Sequence, residues 1–288
     1  MRGAHRRFGA RPGAPSLGHK ALEQQKRASR VEKPLPVMGK WVGAALTGDF
    51  GYSFSSVRPV RDMIGGRLPA TLELMLTAFV FAALLALPLG IFSAVSQYSL
   101  LDYLGTGFSF LGIAMPVFWF GLILQLLFSV KLGWLPTSGR ETVGDATVLD
   151  QIRHLIMPGL VLSVVYIAGW SRYMRSSLLS VIRKEYILTA RARGLRERSV
   201  IWVHAVKNAL IPVVSVMALD LAGLFSGAVI TETVFAWPGI GRLFIQSTFS
   251  RDYPLMMGIL MMGSFMVVAF NLLADLVYGW LDPRIVYS

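Results

Sequence analysis

The chain contains no cysteine among its 288 residues, which excludes disulfide bridges, thiolate metal ligands and thiol nucleophiles together. Histidine is almost as scarce. The four present, His5, His19, His154 and His204, form neither an i, i+4 pair nor an H-E-x-x-H, so no metal site is expected. No G-x-x-x-x-G-K-[ST] is available to cradle nucleotide phosphates, no G-x-G-x-x-G follows a strand, and no serine lies in a G-x-S-x-G. No catalytic, cofactor-binding or metal residue is therefore assigned. Charge is thin as well: Asp, Glu, Lys and Arg make up 15% of the chain against 54% hydrophobic residues, too apolar for an ordinary soluble domain.

What the chain has in quantity is long uncharged runs. Crossing roughly 30 Å of hydrocarbon at about 1.5 Å per residue takes about 20 residues. Leu74–Val95, Leu104–Val130, Leu155–Ser171, Ala209–Ile230 and Pro254–Ala274 meet or approach that length. The expected fold class is all-α, a polytopic transmembrane helical bundle with five visible spans. Pro88, Pro116, Pro158 and Pro212 fall inside the runs, which lipid-embedded helices tolerate when neighbours satisfy the freed carbonyls.

The net charge of +12 could suggest nucleic acid, but its distribution reads as membrane topology, and no nucleic-acid partner is expected. Between the third and fourth runs lie nine basic residues, from Arg172 to Lys207, opposed only by Glu185 and Glu197. That loop should be cytoplasmic, and the flanking loops 131–153 and 231–253, balanced in charge, extracytoplasmic. Five spans then place the N-terminus outside. Residues 1–69 carry thirteen basic residues against four acidic ones, the wrong balance for that side, which points to a translocated tail or a missing span.

Inside the basic loop, Ile182–Arg193 predicts a helix with an apolar face at Ile182, Tyr186 and Ala190 and with Thr189 alongside. Gly194 reads as a left-handed cap, and Ser199 as the opening of a second short helix through Val200–Val206. Such a helix, turn and helix outside the bilayer needs a partner surface. On pattern alone that partner is either protein or anionic lipid.

Asp220 is the one charge inside a run, and an ionised carboxylate at mid-membrane must face protein, water or a cation. Two readings stay open: it lines a substrate route and meets a cationic amine, or it pairs with a polar group on a partner subunit. Asp275 lies near the cytoplasmic end of the last run and is expected to be paired or solvated. Gly223 and Gly227 form a G-x-x-x-G that permits close helix approach. A secondary transporter would show internal repeats and paired intramembrane charges, and a membrane enzyme a cluster of His, Asp or Glu near one interface; neither is visible.

Three stretches carry a resemblance. They are Ile113–Gly139 (IAMPVFWFGLILQLLFSVKLGWLPTSG), Glu185–Val213 (EYILTARARGLRERSVIWVHAVKNALIPV) and Glu232–Pro254 (ETVFAWPGIGRLFIQSTFSRDYP), with LDPRI at Leu281–Ile285 in support. Together they resemble the permease family of dipeptide- and oligopeptide-type ABC importers, from about residue 21 to the end. The resemblance implies a multi-pass inner-membrane subunit without chemistry of its own. Its implied partners are a homologous second permease, two ABC ATPase subunits that bind the ATP and Mg, an extracytoplasmic substrate-binding protein and the lipid bilayer. It also implies that Glu185, Tyr186, Thr189, Ala190, Arg191, Gly194 and Leu195 belong to a coupling helix that docks on an ATPase. Thr189 and Ala190 stand where the coupling motif has paired alanines and Gly194 on its glycine, whereas Leu188 and Lys207 depart from the broader motif's Glu and Pro.

The expected organisation is a basic tail at 1–20, an extracytoplasmic segment at 21–69, and a permease domain at 70–288 with a coupling loop at 172–208. The family usually has six spans with both ends cytoplasmic, so the expectation includes a shortened or misassigned start within Met1–Lys20.

Overall fold

The computed structural model describes residues 39, 42–45, 47–144 and 147–281. The expected tail at 1–20, residues 21–38, 40, 41 and 46 of the expected segment at 21–69, and most of the LDPRI motif lie outside the described residues. Among the described residues from Val60 onward, nine α-helices follow in order: α1 Val60–Val95, α2 Leu100–Ala114, α3 Val117–Leu124, α4 Val148–Ile182, α5 Glu185–Ala192, α6 Glu197–Ser199, α7 Val206–Val234, α8 Ile240–Phe249 and α9 Tyr253–Leu281. π-Helical turns at Gln125–Lys131 and Val200–Ala205 continue α3 and join α6 to α7 without a break.

Among the described residues four helices are long and apolar enough to cross a membrane, or five if a bent pair is counted as one span. The bent pair corrects the single run Leu104–Val130: α2 and α3 meet at 108°. The cause is local. A residue ahead of proline is disfavoured from helical backbone, and Met115, before Pro116, is extended at φ −81°, ψ 130°. Pro88, Pro158 and Pro212 instead sit within α1, α4 and α7.

The centre of the bundle is the long contact between α1 and α4. Along α1 the buried positions Ala70, Leu74, Ala78, Ala82, Ala86, Gly90 and Ala94 recur every fourth residue and line one seam. The small side chains bring the backbones close: a Cβ added at Gly90 would fall 2.5 Å from the Ser171 carbonyl oxygen and 2.6 Å from Met174 Cβ. This is how membrane helices associate without a hydrophobic driving force between them. Trp170, Met174 and Leu178 on α4 fill the space beside the seam, with Phe79 edge-on to Trp170 at 5.3 Å. Outward faces carry Leu76, Leu84, Leu100, Leu104, Leu111, Phe265, Val268 and Leu276, all exposed and apolar, as a lipid-facing perimeter requires.

Helices α1 and α4, with 36 and 35 residues, are each about 50 Å long, more than the hydrocarbon thickness. Their ends therefore project or tilt. Arg172 through Ile182, the first part of the expected loop 172–208, continue α4 as helix. Likewise α1 begins at Val60, ahead of the expected boundary at 70.

At the basic end, Asp102 at the start of α2 binds α4. Arg175 Nε donates to Asp102 Oδ1 and Nη2 to Oδ2, both at 2.8 Å, while Ser93 on α1 donates to the same carboxylate. One buried carboxylate thus ties three helices together.

Candidate functional site

The coupling segment starts where α4 stops. Arg183 and Lys184 break the helix, Lys184 is extended at φ −75°, ψ 149°, and α5 restarts with Glu185 in its first turn, where a carboxylate complements the helix dipole. The break resets the helical phase, so Ile182 belongs to α4 and the expected Ile182–Tyr186–Ala190 face does not form. The buried face of α5 is Ile187, 0% exposed, with Ala190. Both pack into the cluster that holds Leu178 and Val181 of α4 and Val200, Ala205 and Val206 at the head of α7.

The rest of the helix and the turn after it are largely exposed. Tyr186 is 43% exposed, Leu188 53% and Leu195 43%, and Glu185 and Thr189 are exposed beside them. Thr189 and Ala190, adjacent in sequence, point to opposite surroundings. The Thr189 hydroxyl donates to the Glu185 carbonyl at 3.0 Å, satisfied within the helix.

The end of α5 is a Schellman motif. The Gly194 N–H reaches the Arg191 carbonyl at 2.9 Å and the Leu195 N–H the Ala190 carbonyl at 3.4 Å, with Gly194 at φ +74°. A side chain here would be strained by the left-handed backbone. Arg191 then clasps the far side of the turn, donating from Nε to Glu197 Oε2 at 3.1 Å and from Nη2 to Oε1 at 2.6 Å. The pair is solvent-exposed and orients the turn more than it stabilises it. Ser199 does not open the next helix. That helix begins at Glu197 with no side-chain cap and runs through the π-helical turn into α7, so the second element of the segment is the end of a span.

Asp220 sits half-buried on α7, and the Trp170 indole N–H donates to its Oδ2 at 2.7 Å. A partner for the carboxylate thus lies within the chain itself. Asp275 is exposed. Gly223 lets α4 approach, since a Cβ there would lie 3.0 Å from the Tyr166 hydroxyl.

Two acidic residues at the other end of the bundle were only loop charges in the sequence. Glu232 is fully buried at the end of α7; it accepts from the Thr71 hydroxyl at 2.6 Å and the Arg242 N–H at 3.0 Å, while Thr71 accepts from the Ile240 N–H at 2.8 Å. Trp237 closes the turn, its indole donating to the Ala70 carbonyl at 2.8 Å. Asp252 between α8 and α9 gathers the preceding segment, accepting from Ser53, the Phe54 N–H and Ser55. Burial works to raise its pKa, but these hydrogen bonds outweigh it and hold the carboxyl below the usual carboxylate range. The signal available in the sequence was the pairing of Glu232 with Gly239 and Gly241, the glycines that admit the carboxylate.

Among the described residues no group of three His, Asp or Glu side chains is placed to hold a metal ion.

The family model for the binding-protein-dependent transport system inner membrane component matches residues 86–287. The oligopeptide transport system permease protein AppB of Bacillus subtilis is 45% identical over 250 residues, 86% of this chain and 79% of that protein. The dipeptide transport system permease protein DppB of Escherichia coli K12 is 38% identical over 267 residues, 85% and 79% of the two chains. Among solved structures, an inward-facing MetNI methionine ABC transporter superposes with a TM-score of 0.63 at 16% identity, over 76% of this chain and 96% of that one. An amino acid ABC transporter superposes at 0.57. At such identities these structures speak for the fold alone.

Proposed function

The chain belongs to the family of binding-protein-dependent transport system inner membrane components, and on that premise we propose that its cargo is a peptide and that α5 is its contact with an ATPase. It is a multi-pass permease subunit of an ABC importer, with ATP hydrolysis carried out by separate subunits. The peptide reading draws support from relatives named for oligopeptides and dipeptides at 37–45% identity.

The coupling reading is carried by one observation: α5 buries Ile187 and Ala190 and leaves the apolar side chains of Tyr186 and Leu188 exposed on its flanks. Tyr186, Leu188 and Leu195 would enter a groove of the ATPase, with Glu185, Thr189 and Arg191 around them and Gly194 setting the turn. Closure of two ATPases around ATP would draw the α5 helices of this chain and a homologous permease together. Because α5 is packed on both α4 and α7, its displacement would move both spans. A substrate-binding protein would deliver cargo at the opposite end. Asp220 would line the route, with Oδ2 held by Trp170 and the other oxygen left for the amino terminus of a peptide.

Purification in mild detergent from the native membrane, followed by uptake in proteoliposomes, tests the reading. A second permease and an ATPase should co-purify, and vesicles supplied with the binding protein and ATP should accumulate a dipeptide or oligopeptide. Uptake of neither peptide by an assembled, ATP-hydrolysing complex would overturn the cargo assignment. A Gly194→Glu chain that still retained its ATPase would overturn the docking assignment.

A further inference from the structure

We propose that the groove at Arg196, Arg198, Ser199, Trp202 and Val203 is a binding site for an anionic phospholipid. These five residues line an open groove of about 560 Å³ at the head of the α6–α7 span. The proposal is separate from the docking face of α5 and stands whether or not that face meets an ATPase.

The groove has two chemically distinct ends. Arg196 and Arg198 are exposed, and among the described residues neither makes an ion pair or a side-chain hydrogen bond. The neighbouring Arg191 is by contrast committed to Glu197. Below the arginines the wall is apolar: Trp202 is 47% exposed, Val203 58%, and Phe92 at the end of α1 stands edge-on to Trp202 at 6.5 Å. Spacings of three and four residues put Ser199, Trp202 and Val203 on one face, and the π-helical turn at Val200–Ala205 continues that face into the span.

Position selects the occupant. Trp202 stands against Phe92, close to the end of the uncharged run Leu74–Val95 on α1, so it lies at the level favoured by interfacial tryptophans, with the arginines about a turn further towards the headgroups. Two uncommitted guanidiniums above an exposed apolar wall match a phosphate attached to acyl chains. A soluble partner would meet the arginines but leave Trp202 and Val203, on the span itself, without a counterpart.

The test is native mass spectrometry of the assembled transporter, extracted from vesicles of phosphatidylcholine with and without phosphatidylglycerol. Wild type should retain phosphatidylglycerol in preference to phosphatidylcholine, and inorganic phosphate should not displace it. The Arg196→Gln, Arg198→Gln double variant, which removes two exposed side chains and no internal contact, should bind the lipid about 30-fold more weakly, from the usual contribution of each basic residue near an anionic surface. Trp202→Ser should lose retention while both arginines remain. Undiminished retention in the double variant would overturn the proposal. So would displacement by inorganic phosphate, or loss of the ATPase with lipid retention intact, which would give the arginines to a phosphate ion or to the ATPase instead.

Discussion

Gly239 sits where a methyl group has no room. A Cβ built there would fall 2.1 Å from Glu232 Oε1, and one at Gly241 would fall 2.5 Å from Val229 Cα. The buried Glu232 carboxylate and the glycines around it are one arrangement: the carboxylate satisfies the turn's N–H groups and the glycines open space for it. Gly239→Ala is accordingly expected to cost about 1–3 kcal/mol through overpacking. Gly66→Ala, in the interior of α1 with nothing within 4 Å of the added atom, should gain up to about 1 kcal/mol from helix propensity. Thermal melts of both variants in one detergent check the pair, and equal shifts would refute the crowding argument. Asp252 makes a second residue-scale prediction. Its folded pKa is depressed, so its stabilising contribution is fully present above the unfolded value of about 3.9 and is lost as pH falls through the folded value. The melting-temperature advantage of wild type over Asp252→Asn should hold steady from neutral pH down to about 4 and shrink below it. An advantage that instead disappeared on raising pH from 5 to 8 would reverse the sign and sink the assignment.

At the scale of elements, the α1–α4 seam is the feature most exposed to a single change. Ala82 and Ala86 are fully buried on it, so Ala86→Leu should destabilise by about 1–3 kcal/mol. Ala83→Leu, one position round the helix on a partly buried site, should cost less. Comparing the yield of folded, monodisperse protein for the two variants in detergent measures the difference. This seam was present in the sequence as a four-residue repeat of Ala and Gly, yet uncharged runs were read there for length and not for small residues. The spans themselves were legible because hydrocarbon thickness demands long apolar stretches whatever their partners. The bend was marked only by Pro116. Proline is compatible with both a continuous helix and a broken one, as Pro158 within α4 and Pro116 between α2 and α3 show, and surrounding packing decides between them. The face of α5 was misread for a related reason: the helical phase was carried through Ile182, whereas Arg183 and Lys184 interrupt it. The Gly194 cap was legible because a left-handed residue after a helix is a local requirement. Asp220's link to Trp170 joins residues fifty positions apart, and no local pattern announces it.

At the scale of the whole molecule, α5 is interposed between the bundle and whatever covers its free face, and two adjacent residues separate these roles. Leu188 touches little of this chain, being 53% exposed, whereas Ile187 is 0% exposed in the cluster shared by α4 and α7. Leu188→Ser should leave stability within about 0.5 kcal/mol of wild type, as exposed substitutions do, while weakening retention of the ATPase by tenfold or more. Ile187→Ala should cost about 2–5 kcal/mol by leaving a cavity at the root of the helix. Its free face would be intact, so the variant that does assemble should still hold the ATPase but transmit less of its motion. The ratio of peptide taken up to ATP hydrolysed, measured in proteoliposomes on assembled complex only, distinguishes the two. That ratio should fall for Ile187→Ala and stay at the wild-type value for whatever complex Leu188→Ser still forms. If Leu188→Ser lowered the ratio and Ile187→Ala did not, the buried face would not be the transmitting one, and movement of the spans would have to be driven by another contact with the ATPase.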